Sequence, residues 1–76
     1  MNINTNAYEL APTTSPVFKQ IYEGFNPKTN IRVIAILDDN CVRYHVYQYD
    51  KHVGRHEFSN DKKDKCFRNA TRRLNK

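Results

Sequence analysis

The chain has 76 residues, enough for one domain at most, and carries thirteen Lys and Arg against eight Asp and Glu, a net charge of +5 with His neutral. A domain of this size buries only about 60% of the surface its unfolded chain exposes, which leaves a thin core and excludes a catalytic cleft between two domains. The longest uncharged apolar run, Val33 to Leu37, is five residues, against about 20 for a membrane span. No basic stretch precedes a hydrophobic one near Met1, and two cysteines fall short of a disulfide framework. A soluble, cytoplasmic protein is the expectation.

Residues 1–15 hold a single charge, Glu9, several Asn and Thr, and Pro12. They read as a flexible arm, with Ile3, Tyr8 and Leu10 as the groups that could pin it to a core edge. Residues 16–76 form one small α+β domain. Ser15 and Pro16 followed by Val17, Phe18, Ile21, Tyr22 and Gly24 fit a short helix over 16–23, with Ser15 as N-cap and Gly24 as stop. Period-two spacing of Val17 and Ile21 supports the rival, a strand over 17–23. Asn26 to Asn30, with Pro27 inside, is a loop.

Three strands follow, at 31–37, 41–49 and 52–58, separated by Asp38-Asp39-Asn40 and Asp50-Lys51. β-Branched and aromatic enrichment between Asp/Asn clusters predicts a three-stranded antiparallel meander. Ser59 or Asn60 caps a C-terminal helix, with Asp61 and Asp64 in its first turn. Cys66, Phe67, Ala70 and Leu74 form its apolar stripe, which packs on one face of the sheet.

Charge is uneven along this order. Residues 1–40 hold three Lys and Arg against four acids, a net of −1, whereas residues 41–76 hold ten against four, a net of +6, together with all three histidines. Concentrated positive charge attracts polyanions. Alternation in the middle strand puts Val42, Tyr44 and Val46 under the helix and Arg43, His45, Tyr47 and Tyr49 on the other side. If Phe58 faces the helix, Arg55 joins Arg43. The resulting patch is Arg32, Arg43, His45, Tyr47 and Arg55. Guanidinium groups bind phosphate or guanine edges, and tyrosines stack on bases. Lys62, Lys65, Arg68 and Arg72 lie off the helix stripe and can contact flanking phosphates. Arg and Tyr also dominate protein–protein hot spots. Ile34 and Ile36, on Arg32's side of the first strand, need cover from the N-terminal segment or form an apolar patch suited to a protein partner.

Cys41 with His45, and His52 with His56, have metal-like spacing, but residues four apart on a strand lie roughly 13 Å apart, too far to share a zinc ion. No metal or other cofactor is expected. Asp38 and Asp39 are adjacent and suit a turn better than acid–base chemistry. The two glycines, Gly24 and Gly54, form no phosphate loop, and no nucleophile has an orienting group and a pocket. A non-enzymatic protein without a small-molecule substrate is the expectation.

Three antiparallel strands and a helix resemble the AP2-type DNA-binding domain and the amino-terminal domains of some phage and transposon integrases. Lys51-His52-Val53, Phe58-Ser59-Asn60, and Cys66, Phe67 and Ala70 carry the local likeness. The chain departs from that pattern in having no Trp and in the spacing of Gly54 from Phe58. The resemblance implies that the open sheet face enters the major groove through Arg43 and Arg55. Three readings follow in order: binding of duplex DNA through that face; a small inhibitor or adaptor of phage or mobile-element type that binds another protein; and an RNA or single-strand binder using Tyr47 and Tyr49.

Overall fold

A computed structural model describes residues 7–13 and 20–76. Among these residues five strands and one helix follow in chain order: β1 (Ala11–Pro12), β2 (Ile21–Asn26), β3 (Ile31–Leu37), β4 (Val42–Gln48), β5 (Lys51–Glu57) and α1 (Lys63–Leu74). The strands form one antiparallel sheet in sequence order. The α+β class, the meander and the C-terminal helix are as the sequence implied, but the sheet has five strands rather than three.

The two added strands come from the N-terminal third. Residues 21–23, read above as the end of a helix, are extended, so the rival strand reading holds there; residues 16–19 lie outside the described ones. Gly24 does not stop a helix. It pairs with Val33 in mid-strand, where a Cβ would sit 2.5 Å from Leu74 Cδ2 and 2.9 Å from the Glu9 carbonyl oxygen. The glycine lets the helix end and the N-terminal segment close on β2. That segment is built into the fold: Leu10 is buried, Ala11 and Pro12 pair with Glu23 and Tyr22, and Tyr8 exchanges two hydrogen bonds with the Asn75 side chain. Residues 7–13 thus pair with and pack on the rest of the fold, while residues 1–6 and 14–15 of the expected arm lie outside the described ones.

Strand β3 alternates strictly, Ile31, Val33, Ala35 and Leu37 being buried and Arg32, Ile34 and Ile36 half-buried. Val42, Tyr44 and Val46 of β4 extend the same apolar surface. Helix α1 lies on it through Cys66, Ala70 and Leu74, all fully buried. Phe67 meets Tyr22 edge to face at 5.3 Å, and Phe58 packs against the same core. The helix begins at Lys63 after a turn in which Lys62 N donates to the Ser59 carbonyl; neither Ser59 nor Asn60 is its N-cap, and Lys62 in that position makes no side-chain cap bond. Asp64 in the first turn and Arg72 and Arg73 in the last suit the helix dipole.

Two tight turns fix the register of the central hairpins. Asp38 and Cys41 exchange backbone hydrogen bonds around Asp39-Asn40. Tyr49 and Asp50 join β4 to β5 with φ of 52° and 65°. Positive φ at both positions is what a two-residue hairpin loop of matching twist requires.

Candidate nucleic-acid interface

The register arranges the sheet face opposite α1 as three rows across β2, β3, β4 and β5. They run Phe25, Arg32, Tyr47, His52; then Glu23, Ile34, His45, Arg55; then Ile21, Ile36, Arg43, Glu57. Arg32, Arg43, His45, Tyr47 and Arg55 thus share one face, as alternation predicted. The β2–β3 half is largely apolar, with Ile21 opposite Ile36. The β4–β5 half is cationic and aromatic.

His52 reaches this face through an irregularity that the sequence did not signal. Val46 pairs with Gly54 but Tyr47 pairs with His52, leaving Val53 as the extra residue of a bulge. A bulge re-aims side chains. Here it turns His52 from the side of His56 toward His45 and Tyr47, with ring centroids 5.1 Å from each. His56 stays on the helix side, stacked on Tyr44 at 5.0 Å.

The charges on this face are partly neutralised. Arg32 donates to Glu23 at 2.7 Å and lies over the Phe25 ring. Arg55 pairs with Glu57. Three arginines face two glutamates, a net of +1 with His neutral. Arg43 Nε donates to His45 Nε2 at 3.1 Å. A guanidinium Nε always carries hydrogen, so His45 Nε2 is an acceptor and the neutral ring is protonated at Nδ1. That N–H lies 3.0 Å from His52 Nε2 and donates to it. Burial, followed by the Arg43 charge and then His52 and Arg55, pushes the His45 pKa down; Glu57 opposes them. With Nδ1 holding its proton, the pair shares a hydrogen bond instead of offering two lone pairs to a metal. Among the described residues no three His, Cys, Asp or Glu side chains converge as metal ligands.

The helix carries a different surface. Residues 61–76 hold seven Lys and Arg against Asp61 and Asp64, a net of +5 in sixteen residues. Lys65, Arg68 and Arg72 are spaced i, i+3 and i+7 on the side of α1 opposite Cys66, Ala70 and Leu74, and all three are exposed. Lys63 pairs with Asp39, whereas Lys62, Lys65, Arg68, Arg72, Arg73 and Lys76 meet no carboxylate among the described residues. Arg73 also lines a cleft with Tyr44. Burial and Cys66 raise that phenol's pKa, and the Arg73 charge pulls it back. Tyr44, Asn69, Arg72, Arg73, Asn75 and Lys76 line a shallow cleft along this flank.

The fold corrects one expectation about the site. Lys62, Lys65, Arg68 and Arg72 were paired above with the sheet residues as contacts to one duplex. Because α1 covers the near face of the sheet, its outward cations and the patch around Arg43 look in opposite directions. One straight duplex lying on either surface does not reach the other.

No helix among the described residues is long and apolar enough to cross a membrane. In comparisons with known proteins the chain matches no protein-family model, no curated sequence and no solved structure.

Proposed function

We propose that this chain is a non-enzymatic nucleic-acid-binding protein that grips the phosphate backbone, DNA in preference to RNA, through the outward face of α1. The observation that carries the reading is the net +5 gathered on sixteen residues, with Lys65, Arg68 and Arg72 aligned on one exposed helix face. Guanidinium and ammonium groups on such a strip neutralise phosphates and release counterions, giving affinity that falls steeply with salt. The sheet face, at net +1, supplies less of this attraction near neutral pH.

Fluorescence anisotropy with a labelled duplex, titrated at several salt concentrations, tests it. Arg68→Ala with Arg72→Ala should weaken binding uniformly across sequences and lower the salt slope by about two. Arg43→Ala should have the smaller effect at neutral pH. No binding at micromolar protein and low salt would overturn the reading.

A second reading is supported by the apolar half of the sheet, where Ile21, Ile34, Ile36 and Phe25 adjoin Arg32 and Arg43. This mixture suits the buried centre of a protein interface, with a partner that is apolar and acidic. A complex that survives nuclease and high salt and is lost in Ile34→Asp would favour an inhibitor or adaptor over the nucleic-acid reading.

A further inference from the structure

We infer that the β4–β5 half of the sheet is a second phosphate-binding surface, closed near neutral pH by the Arg43–His45–His52 hydrogen-bond chain and opened when the histidine pair takes up a proton. The inference takes its ligand, nucleic acid, from the reading above, but not its site.

The argument rests on the direction of each hydrogen bond. Arg43 donates to His45, and His45 donates to His52, so every nitrogen in the chain is assigned. A proton added to His45 Nε2 removes the acceptor that holds Arg43. A proton added to His52 Nε2 puts two N–H groups face to face, and relieving that by moving the His45 proton to Nε2 again expels Arg43. Uptake of one proton therefore breaks a link wherever it lands.

The charge of the face changes with the geometry. With both rings neutral, Arg32, Arg43 and Arg55 face Glu23 and Glu57. One proton doubles that net +1, and a second triples it. Arg43, cross-strand from the Glu57 that Arg55 holds, then presents a guanidinium released from His45 beside imidazolium N–H donors, a set suited to phosphate oxygens. Of the other groups packed around the pair, Arg55 of β5, cross-strand from His45, opposes the added charge and Glu57 favours it. Ile34 of β3 is uncharged, Tyr47 of β4 flanks His52, and the nearest acid, Glu57 of β5, is engaged by Arg55. Glu23, at the far end of His45's row on β2, is engaged by Arg32. The low pKa of His45 places this opening below ordinary neutral conditions, and a bound phosphate raises that pKa by linkage.

The test uses the full chain carrying Arg68→Ala and Arg72→Ala, which weakens the helix surface, with a labelled duplex at fixed ionic strength. Between pH 7.5 and pH 5.5 its affinity should rise about five- to tenfold. Adding His45→Gln or His52→Gln alone should reduce that rise, and adding both together should abolish it. Adding His56→Gln, whose ring lies on the other face, should leave it intact. A rise that survives in full in the variant carrying His45→Gln and His52→Gln together overturns the inference, as does the absence of any rise. NMR titration of the ring protons gives a second readout in the unmutated chain: duplex should move the His45 midpoint upward, and an unmoved midpoint also overturns the inference. Failure of the helix reading shows separately, as neutral-pH affinity unchanged by Arg68→Ala and Arg72→Ala.

Discussion

Asn26 Nδ2 donates to the backbone carbonyl of Leu74 at 2.9 Å, and its Oδ1 accepts from Lys28 N at 3.0 Å. One buried side chain, 4% exposed, thus shapes the β2–β3 loop and satisfies a carbonyl at the C-terminal end of α1, which has no partner within the helix. Asn26→Ala leaves both a buried carbonyl and a loop N–H without their partner. It should cost about 1–3 kcal/mol, read as a lower urea midpoint with an unchanged slope.

Gly24→Ala should also destabilise the fold. The new methyl meets Leu74 Cδ2, Leu10 Cδ2 and the rigid Glu9 carbonyl at once. Overpacking of this kind costs about 1–3 kcal/mol. Pairing Gly24→Ala with Leu74→Val should return part of the loss if the Leu74 clash is the cause, which a double-mutant cycle measures.

The β4–β5 turn should be improvable. Tyr49 and Asp50 both hold positive φ, and a bulky residue there is costly. Tyr49→Asn with Asp50→Gly should raise stability by about 1–2 kcal/mol, visible as a higher Tm. No gain would mean that the Tyr49 ring, two-thirds exposed, contributes compensating contacts along the turn.

Stability should fall as pH drops through the histidine range. The folded-state pKa of His45 is lowered, so below about 6.5 the unfolded chain protonates before the folded one. The penalty on the folded state grows from there down to its own lower midpoint, stays in full below it, and is absent above about 6.5. His45→Gln should therefore lose less stability than the unmutated chain between pH 7.5 and 5.5, measured by chemical denaturation at each pH.

The two thiols should react at different rates. Cys66 is fully buried under α1, and burial pushes its thiol up to about 11, whereas Cys41 is half-exposed beside the β3–β4 turn. Iodoacetamide on the native protein should label Cys41 first, with Cys66 protected until unfolding. Equal rates would contradict the packing of α1.

The central meander was legible because β3 and β4 carry unbroken alternation between turn residues, and α1 because Cys66, Ala70 and Leu74 repeat at helical spacing. Gly24 misled, since its role is to admit Leu74, a residue fifty positions away, and local grammar reads a lone glycine as a stop. Tyr8 and Leu10 were legible as groups that could pin the N-terminal segment, but the partner that fixes Tyr8, Asn75, is one no nearby pattern announces. On the candidate site, alternation placed Arg43 and Arg55 together. It could not place His52, because a bulge shifts parity by one, nor show that arginines on adjoining strands would meet Glu23 and Glu57. The stripe that fixed the helix's inner face also implied that Lys65, Arg68 and Arg72 point away from the sheet.

Every strand neighbour in this sheet is also a neighbour in sequence. The hairpins can therefore zip locally and early, each closing a short loop at small entropic cost. Helix α1 roofs them, so a meander formed before it docks would leave Val33, Ala35 and Val46 wet. Acquisition of the native state should consequently be paced by docking of the final segment onto a preformed but bare ribbon. A species with that ribbon bare would be the one open to self-adhesion and to proteases.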